Sequence, residues 1–366
     1  YRYSRSSTIE AANRREYRRL TCHGYNVLAY NPNVSYTPWK GYDAYQRPYT
    51  DRTLATALYN PYSYTYYQDI SDHVYFIWRD LDSDGEYDGP GSSDMRAPNQ
   101  PATDECGDVS TDTSANSVAV SSLPVTLDPD DAGYPNSQQN YANWYSYYRK
   151  REYLVKRAIS ELIWSSNHRM GMATMQNNND VGQPVRDMTD DENKKNLLAA
   201  VSQISSKYNT PLRLLLANTG MYFDQAGSNY DHADLGFTEG SPILSADQGG
   251  QCQQNFSILF SDGYWNGPLS RVGNQDGNNN SPWDGGSYAD QHWHTLADVA
   301  MHYYETDLAP SLPDVVQPIQ DIDENRSQHL NTFAVAFGVS GTLDSNPTSK
   351  TDAFNWPDPI NYYTQE

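Results

Sequence analysis

The run DLDSDGEYDG places carboxylates at Asp80, Asp82, Asp84 and Asp88, with Gly85 among them. These are positions one, three, five and nine of a calcium loop, with glycine at six and the backbone carbonyl of Glu86 at seven. Calcium takes roughly six to eight oxygens, and alternating Asp residues around a tight turn converge on one point. Gly91 stands at position twelve in place of the usual bidentate Glu, so Asp94 or a more distant group must complete the shell. The competing reading is an acidic turn left in solvent.

A second set begins in CQQNFSILFSDGYWNG, Cys252 to Gly267, which reads as a buried strand ending in a Ser-Asp-Gly that presents Asp262 at a sheet edge. Thr210 stands just ahead of a helix. In a doubly wound sheet the loops after alternate strands meet above the carboxyl edge. A carboxylate and a hydroxyl there are hard oxygen ligands for magnesium, manganese or calcium. Taken alone, Thr210 reads rather as a helix cap and Asp262 as a turn residue. His292 and His294 bracket Trp293 with no third soft ligand close by, which reads as surface histidines near a helix start. Asp276, Asp284 and Asp290 lie in a Gly/Asn-rich loop that suits either a further cation or ordinary turn chemistry. The chain has no G-x-S-x-G elbow, no H-E-x-x-H, no phosphate-cradling loop and no dinucleotide fingerprint, so the expectation is a protein that is not an enzyme.

The elements that must position these residues follow from periodicity. Residues 1–142 carry little of it after the opening Arg/Glu-rich stretch and read as a loop-rich, Tyr-rich region. From Trp144 a long helix is expected, with Val155, Ala158, Ile159, Leu162 and Ile163 as its apolar stripe. Met170 to Met175 reads as a short buried strand. A second helix is expected over Glu192 to Lys207, with Leu197, Leu198, Val201 and Ile204 inward. Pro211 suits the first position of a third helix and Thr210 its cap. Strands are expected at Phe256 to Phe260 and Thr332 to Val339, with a helix from Thr295 to about Thr306 between them. Short apolar strands alternating with amphipathic helices predict a doubly wound α/β core, its mostly parallel sheet covered on both faces.

Acidic residues outnumber basic ones 46 to 25 for a formal charge of −21, which works against polyanion binding and excludes nucleic acid as a general partner. The longest apolar run, around Leu214 to Ala217, is far short of the roughly 20 residues of a membrane span. Cys22, Cys106 and Cys252 are too dispersed for a metal knuckle, and their odd number leaves one unpaired or paired outside the chain. With 31 Tyr against 8 Phe, the aromatics suit half-wet contact surfaces, or else Tyr-rich loops that pack on themselves.

Several blocks in order carry a family resemblance: YNPNVSYTPW at Tyr30, NWYSYYRKR at Asn143, RMGMATM at Arg169, NTPLR at Asn209, the Cys252 to Gly267 block, VGNQDG at Val272, HTLADVAMHYY at His294 and HLNTFAVAFGVSGTL at His329. Together they resemble the PilC/PilY-type tip adhesins of bacterial type IV pili, in their amino-terminal von Willebrand factor A-like domain. The resemblance implies a von Willebrand A fold, a Rossmann-like doubly wound α/β sheet, with a metal-ion-dependent adhesion site built from three loops. Thr210 matches the second-loop threonine and Asp262 the third-loop aspartate. The first loop normally carries D-x-S-x-S, and Asp108 to Asp112, DVSTD, is not a match. The first central strand is therefore expected upstream of Tyr1. The expected domains are a Tyr-rich insertion with the calcium loop over 1–142, the von Willebrand A-like core over 143–345, and a linker over 346–366 towards an absent carboxy-terminal domain.

By the same resemblance the chain is expected to act outside the cell, at the pilus tip or outer surface. It would be a calcium-stabilised, divalent-cation-dependent adhesin and pilus assembly factor, with minor pilins and a surface, glycan or protein receptor as partners. The alternative is a structural subunit of an extracellular filament or surface layer that uses the fold only as scaffold. A secreted calcium-dependent glycan-binding or glycan-cleaving protein is a third reading, for which the tyrosines are the hint.

Overall fold

The computed structural model describes residues 23, 26–61, 66–79, 105–106, 117–126, 128–175, 181–204, 210–226, 235–261, 267, 272–284, 289, 291–320 and 323–336. The chain divides into two compact units, Tyr1–His168 with Asp187–Gln203, and Arg169–Arg186 with Ile204–Glu366.

In the first unit, among the described residues, short antiparallel pairs frame three helices. Strand β1 (Ala57–Leu58) pairs with β2 (Tyr67–Gln68), β3 (Val74–Phe76) with β6 (Ser117–Ala119), and β4 (Trp78–Arg79) with β5 (Glu105–Cys106). The helices are α1 (Gln138–Tyr147), α2 (Arg151–Ser165) and α3 (Asp191–Gln203). Around α1 the tyrosines pack on themselves: Tyr30, Tyr36, Trp39, Tyr49, Tyr75, Tyr141, Trp144, Tyr147 and Tyr153 form one buried cluster. A tyrosine core is tolerable only when each hydroxyl finds a partner. Tyr30 donates to Pro135 O, Tyr134 to Tyr36 O, Tyr147 to Thr50 O and Tyr148 to Thr37 O. Asn140 and Asn143, both fully buried on α1, stitch the same region by donating to Val34 O and Tyr36 O.

The single helix expected from Trp144 is two helices. Tyr148 closes α1 and Lys150, in extended backbone, opens α2. The buried stripe of α2 is also rotated from the expected one. Tyr153, Lys156, Ser160 and Ile163 face inward, while Ala158 and Leu162 are exposed. The reason is polar: Lys156 Nζ donates to Ser202 O at the end of α3 and pairs with Glu152 at 3.0 Å, so a charged residue takes an inward position that periodicity assigns to an aliphatic one. On α3, Leu197, Leu198 and Val201 are buried as the spacing predicts, and Ile204 lies beyond the helix end.

The second unit contains β7 (Arg169–Met172) paired with β8 (Gln183–Asp187), then α4 (Leu212–Phe223), β9 (Asn255–Ser261), α5 (Leu296–Glu305) and β10 (Leu330–Ala336). β7 is shorter than expected and only half-buried, with Gly171 exposed. β9 and β10 run parallel in register from Asn255 opposite Leu330 to Ser261 opposite Ala336, and α5 lies on the crossover between them. Leu215, Leu216, Tyr222, Leu259, Val299, Tyr303 and Leu330 form the core beneath. Burial alternates along β9, so the strand is not buried on both sides: Phe256 and Ile258 on β9, with Phe333 and Val335 on β10, are about half exposed.

Candidate functional site

Among the sequence-derived metal ligands, Asp80, Asp82, Asp84, Glu86 and Asp88 lie outside the described residues, as does Asp262. Thr210 lies within them, two residues before the start of α4. It does not cap the helix as the sequence suggests: Pro211 occupies the N-cap position, with no side-chain cap hydrogen bond, and Leu212 N donates to Thr210 O at 2.9 Å. A proline at the N-cap leaves the helix end to be satisfied by other means.

What the structure does bring together is the segment 210–213 and the loop that follows β9. Arg213, in the first turn of α4, forks between two carbonyls, donating from Nη2 to Gly267 O at 2.6 Å and from Nη1 to His294 O at 2.7 Å. A Cβ placed on Gly267, whose φ is +95°, would lie 3.6 Å from Pro211 Cβ. Charge-assisted bonds of this kind are short and fix geometry. Sequence reasoning gave Arg213 no role. The available signal was its position: a cation in the first turn opposes the helix dipole, so it is expected there only when it has another task.

His294 has the left-handed φ of +60°. It exchanges two bonds with Gly273: His294 N donates to Gly273 O, and Gly273 N donates to His294 Nδ1, each at 2.8 Å. An Nδ1 that accepts a hydrogen bond is not offered to a metal, which fits the surface-histidine reading over a ligand pair. The next residue opens α5 by a reciprocal cap. Thr295 Oγ1 accepts from Asp298 N, and buried Asp298 accepts from Thr295 N at 2.7 Å and from Gln275 N at 2.6 Å. Of the loop aspartates, Asp276 is fully buried, Asp284 accepts from Ser281 N at 3.0 Å, and Asp290 lies outside the described residues. Burial, and then the charge of Asp284, raise the Glu305 carboxyl. Among the described residues there is no group of three or more His, Cys, Asp or Glu that could hold a metal ion, and no helix is long and apolar enough to cross a membrane.

A second polar cluster sits at the entrance to β10. Asp323, 4% exposed, accepts from His329 Nε2 at 3.0 Å, Asn331 Nδ2 at 2.9 Å and Tyr304 Oη at 3.2 Å. His329 Nδ1 lies 2.8 Å from Ser327 O. Burial works to raise the Asp323 carboxyl, but the bonds from Asn331 and His329 outweigh it and hold the group below its usual value. With both imidazole nitrogens engaged and the ring buried, this cluster fastens segment 323–331 and offers no reactive atom to a ligand.

No protein-family model matches the chain, and no solved structure matches it. Curated relatives do. The chain is 28% identical over 240 residues to the type IV pilus biogenesis factor PilY1 of Pseudomonas aeruginosa strain PAK, a match covering 57% of this chain and 20% of the relative. The PilY1 of strain UCBPP-PA14 is 29% identical over 246 residues, covering 58% of this chain and 20% of the relative. The chain thus spans about a fifth of the length of the relatives it matches.

Proposed function

We propose that this chain, similar over more than half its length to type IV pilus biogenesis factors, is part of a pilus-associated surface protein that works as a tip adhesin and assembly factor. The similarity to PilY1 carries the reading. Its scaffold is von Willebrand A-like. Two features support that: β9 and β10 are parallel and joined through α5, and Arg213 ties the segment after Thr210 to the loop after β9. Thr210 and Asp262 are the residues this chain would contribute to a divalent-cation site. Asp80, Asp82, Asp84, Glu86 and Asp88 would hold a calcium ion that stiffens the Tyr-rich unit. A cation at the first site would give an acidic group of a partner something to bind. Minor pilins and a surface receptor are the partners, the location is extracellular, and no catalysis is involved.

Immunogold labelling of intact cells and sheared filaments, with an antibody raised against residues 143–343, tests the reading. Gold confined to pilus ends is expected. Gold spaced along filaments, or spread over the cell wall, would replace the adhesin with a structural subunit. The half-exposed apolar face of Phe256, Ile258, Phe333 and Val335 is the observation that favours that alternative, because such a face suits self-association. Sedimentation of the purified chain across concentrations separates the two. A tip adhesin stays monomeric, whereas a subunit polymerises.

A further inference from the structure

Trp293 is 69% exposed. Tryptophan is among the residues with most to gain from burial, since it carries roughly 150–250 Å² of contact surface, so a side chain left this open invites a search for what it meets. Its backbone is held on both sides. Asn274 Nδ2 donates to His292 O at 3.1 Å, the Gly273–His294 exchange closes the far side, and Arg213 grips His294 O. His294 takes a left-handed φ of +60°, a conformation that costs a non-glycine residue energy and that the surrounding bonds impose. Immediately after it, the Thr295–Asp298 cap fixes the start of α5. These bonds hold the backbone that carries the indole as a stiff pedestal. The His294 ring meets it nearly perpendicularly, at 88° with centroids 6.2 Å apart, so the neighbouring imidazole does not stack flat over the indole.

The exposed side chains just before the indole, Gln291 and His292, are polar and can both donate and accept hydrogen bonds. Arg213, the cation nearest in this network, is committed to backbone carbonyls. An exposed flat apolar face matches the apolar C–H face of a pyranose ring, and polar residues next to it along the chain suit that ring's rim of hydroxyls. The formal charge of −21 disfavours acidic sugars. We propose that Trp293, raised on the Gly273–His294 clamp, is the stacking platform for a neutral hexose ring of a surface glycan. This names a ligand class for the adhesin reading and rests on it only in treating the glycan as a receptor.

The test is a panel of immobilised neutral and acidic glycans probed with the full chain, its W293A and W293F variants, and H294G. Capture by neutral hexose glycans is expected. W293A should weaken it by about three- to tenfold, the scale of one lost aromatic stacking contact, with an unchanged melting temperature because the side chain is exposed. W293F should keep part of the binding, and H294G, which relieves the positive φ, should bind less tightly because the pedestal loosens. Bound glycan should also shield tryptophan fluorescence from acrylamide in the wild type and not in W293F. Absence of neutral-glycan capture, capture indifferent to W293A, or Trp293-dependent binding only to proteins would overturn the proposal. None of these outcomes alters where gold falls on the pilus, so failure of the ligand class and failure of the adhesin reading are distinguishable.

Discussion

Two side chains in the second unit do more than their residue types suggest. Arg213 sits where a helix dipole disfavours a cation, and its fork to Gly267 O and His294 O explains why it is there. Lysine keeps the charge but lacks the planar fork. Arg213→Lys is expected to cost about 1–3 kcal/mol in thermal denaturation and to speed hydrogen exchange at the amides of Gly273 and His294. Unchanged exchange there would mean the fork does not brace the loop. Asp323 makes a pH-dependent counterpart. Its carboxyl is lowered in the folded state, so its contribution is present above the unfolded value of 3.8 and lost as pH falls through the folded one. Asp323→Asn should therefore destabilise the fold near neutrality, by about 1–3 kcal/mol on the scale of hydrogen bonds to a charged group. The gap between variant and wild type should narrow as pH falls below 3.8. A gap that stayed constant with pH would show that shape and not charge is what matters at this position.

At the scale of elements, α4 and α5 meet through a glycine. A Cβ on Gly220 would fall 2.3 Å from the ring carbons of Tyr303, deep in the side chain and not at its far end. Helix propensity favours Ala over Gly by about 1 kcal/mol. Overpacking costs about 1–3 kcal/mol and more where the ring has nowhere to go. Tyr303 is buried, so the clash should win: Gly220→Ala lowers the urea midpoint, and Gly220→Ala with Tyr303→Leu recovers part of it. A stabilised single variant would mean that the two helices separate easily. The helix limits themselves were largely readable. Thr295 and Asp298 spell a reciprocal cap, and α5 begins there. The break between α1 and α2 had no comparable signal, because Tyr148 to Lys150 contain neither Gly nor Pro.

At the scale of the molecule, the first unit packs many tyrosines among its aliphatic core residues, and this sets its response to alkali. Burial raises Tyr134, Tyr147 and Tyr153 from 10.0 to about 12, and raises Tyr30 and Tyr49 as well. Each such group contributes stability that is intact below its unfolded value and is lost as pH climbs towards the folded one. Lys156 acts in the opposite direction. Burial lowers it from 10.5 to about 8 despite its pairing with Glu152, so folding strains against its charge until pH passes about 8. Stability should rise gently from pH 8 towards 10 and then fall steeply. Lys156→Met should flatten the rise and leave the fall, as read from urea midpoints across that range. A flat wild-type profile would mean that water reaches Lys156.

The sequence by itself determined the apolar periodicities that become α3, α4, α5, β9 and β10, the charge of −21, and the ordered blocks that link the chain to pilus factors. These are local or additive properties, carried by spacing and composition. Only the tertiary structure decided that the tyrosines form a core, because that depends on whether partners such as Pro135 O and Thr50 O arrive from distant segments. It also decided that Lys156 turns inward, since the carbonyl that receives it belongs to Ser202, 46 residues away. Arg213 and His294 are joined across 81 residues in the same way, and the clamp beneath Trp293 depends on that contact. A hydrogen bond between residues so far apart leaves no period in the chain, which is why motif and spacing pointed to Thr210 and passed over Arg213.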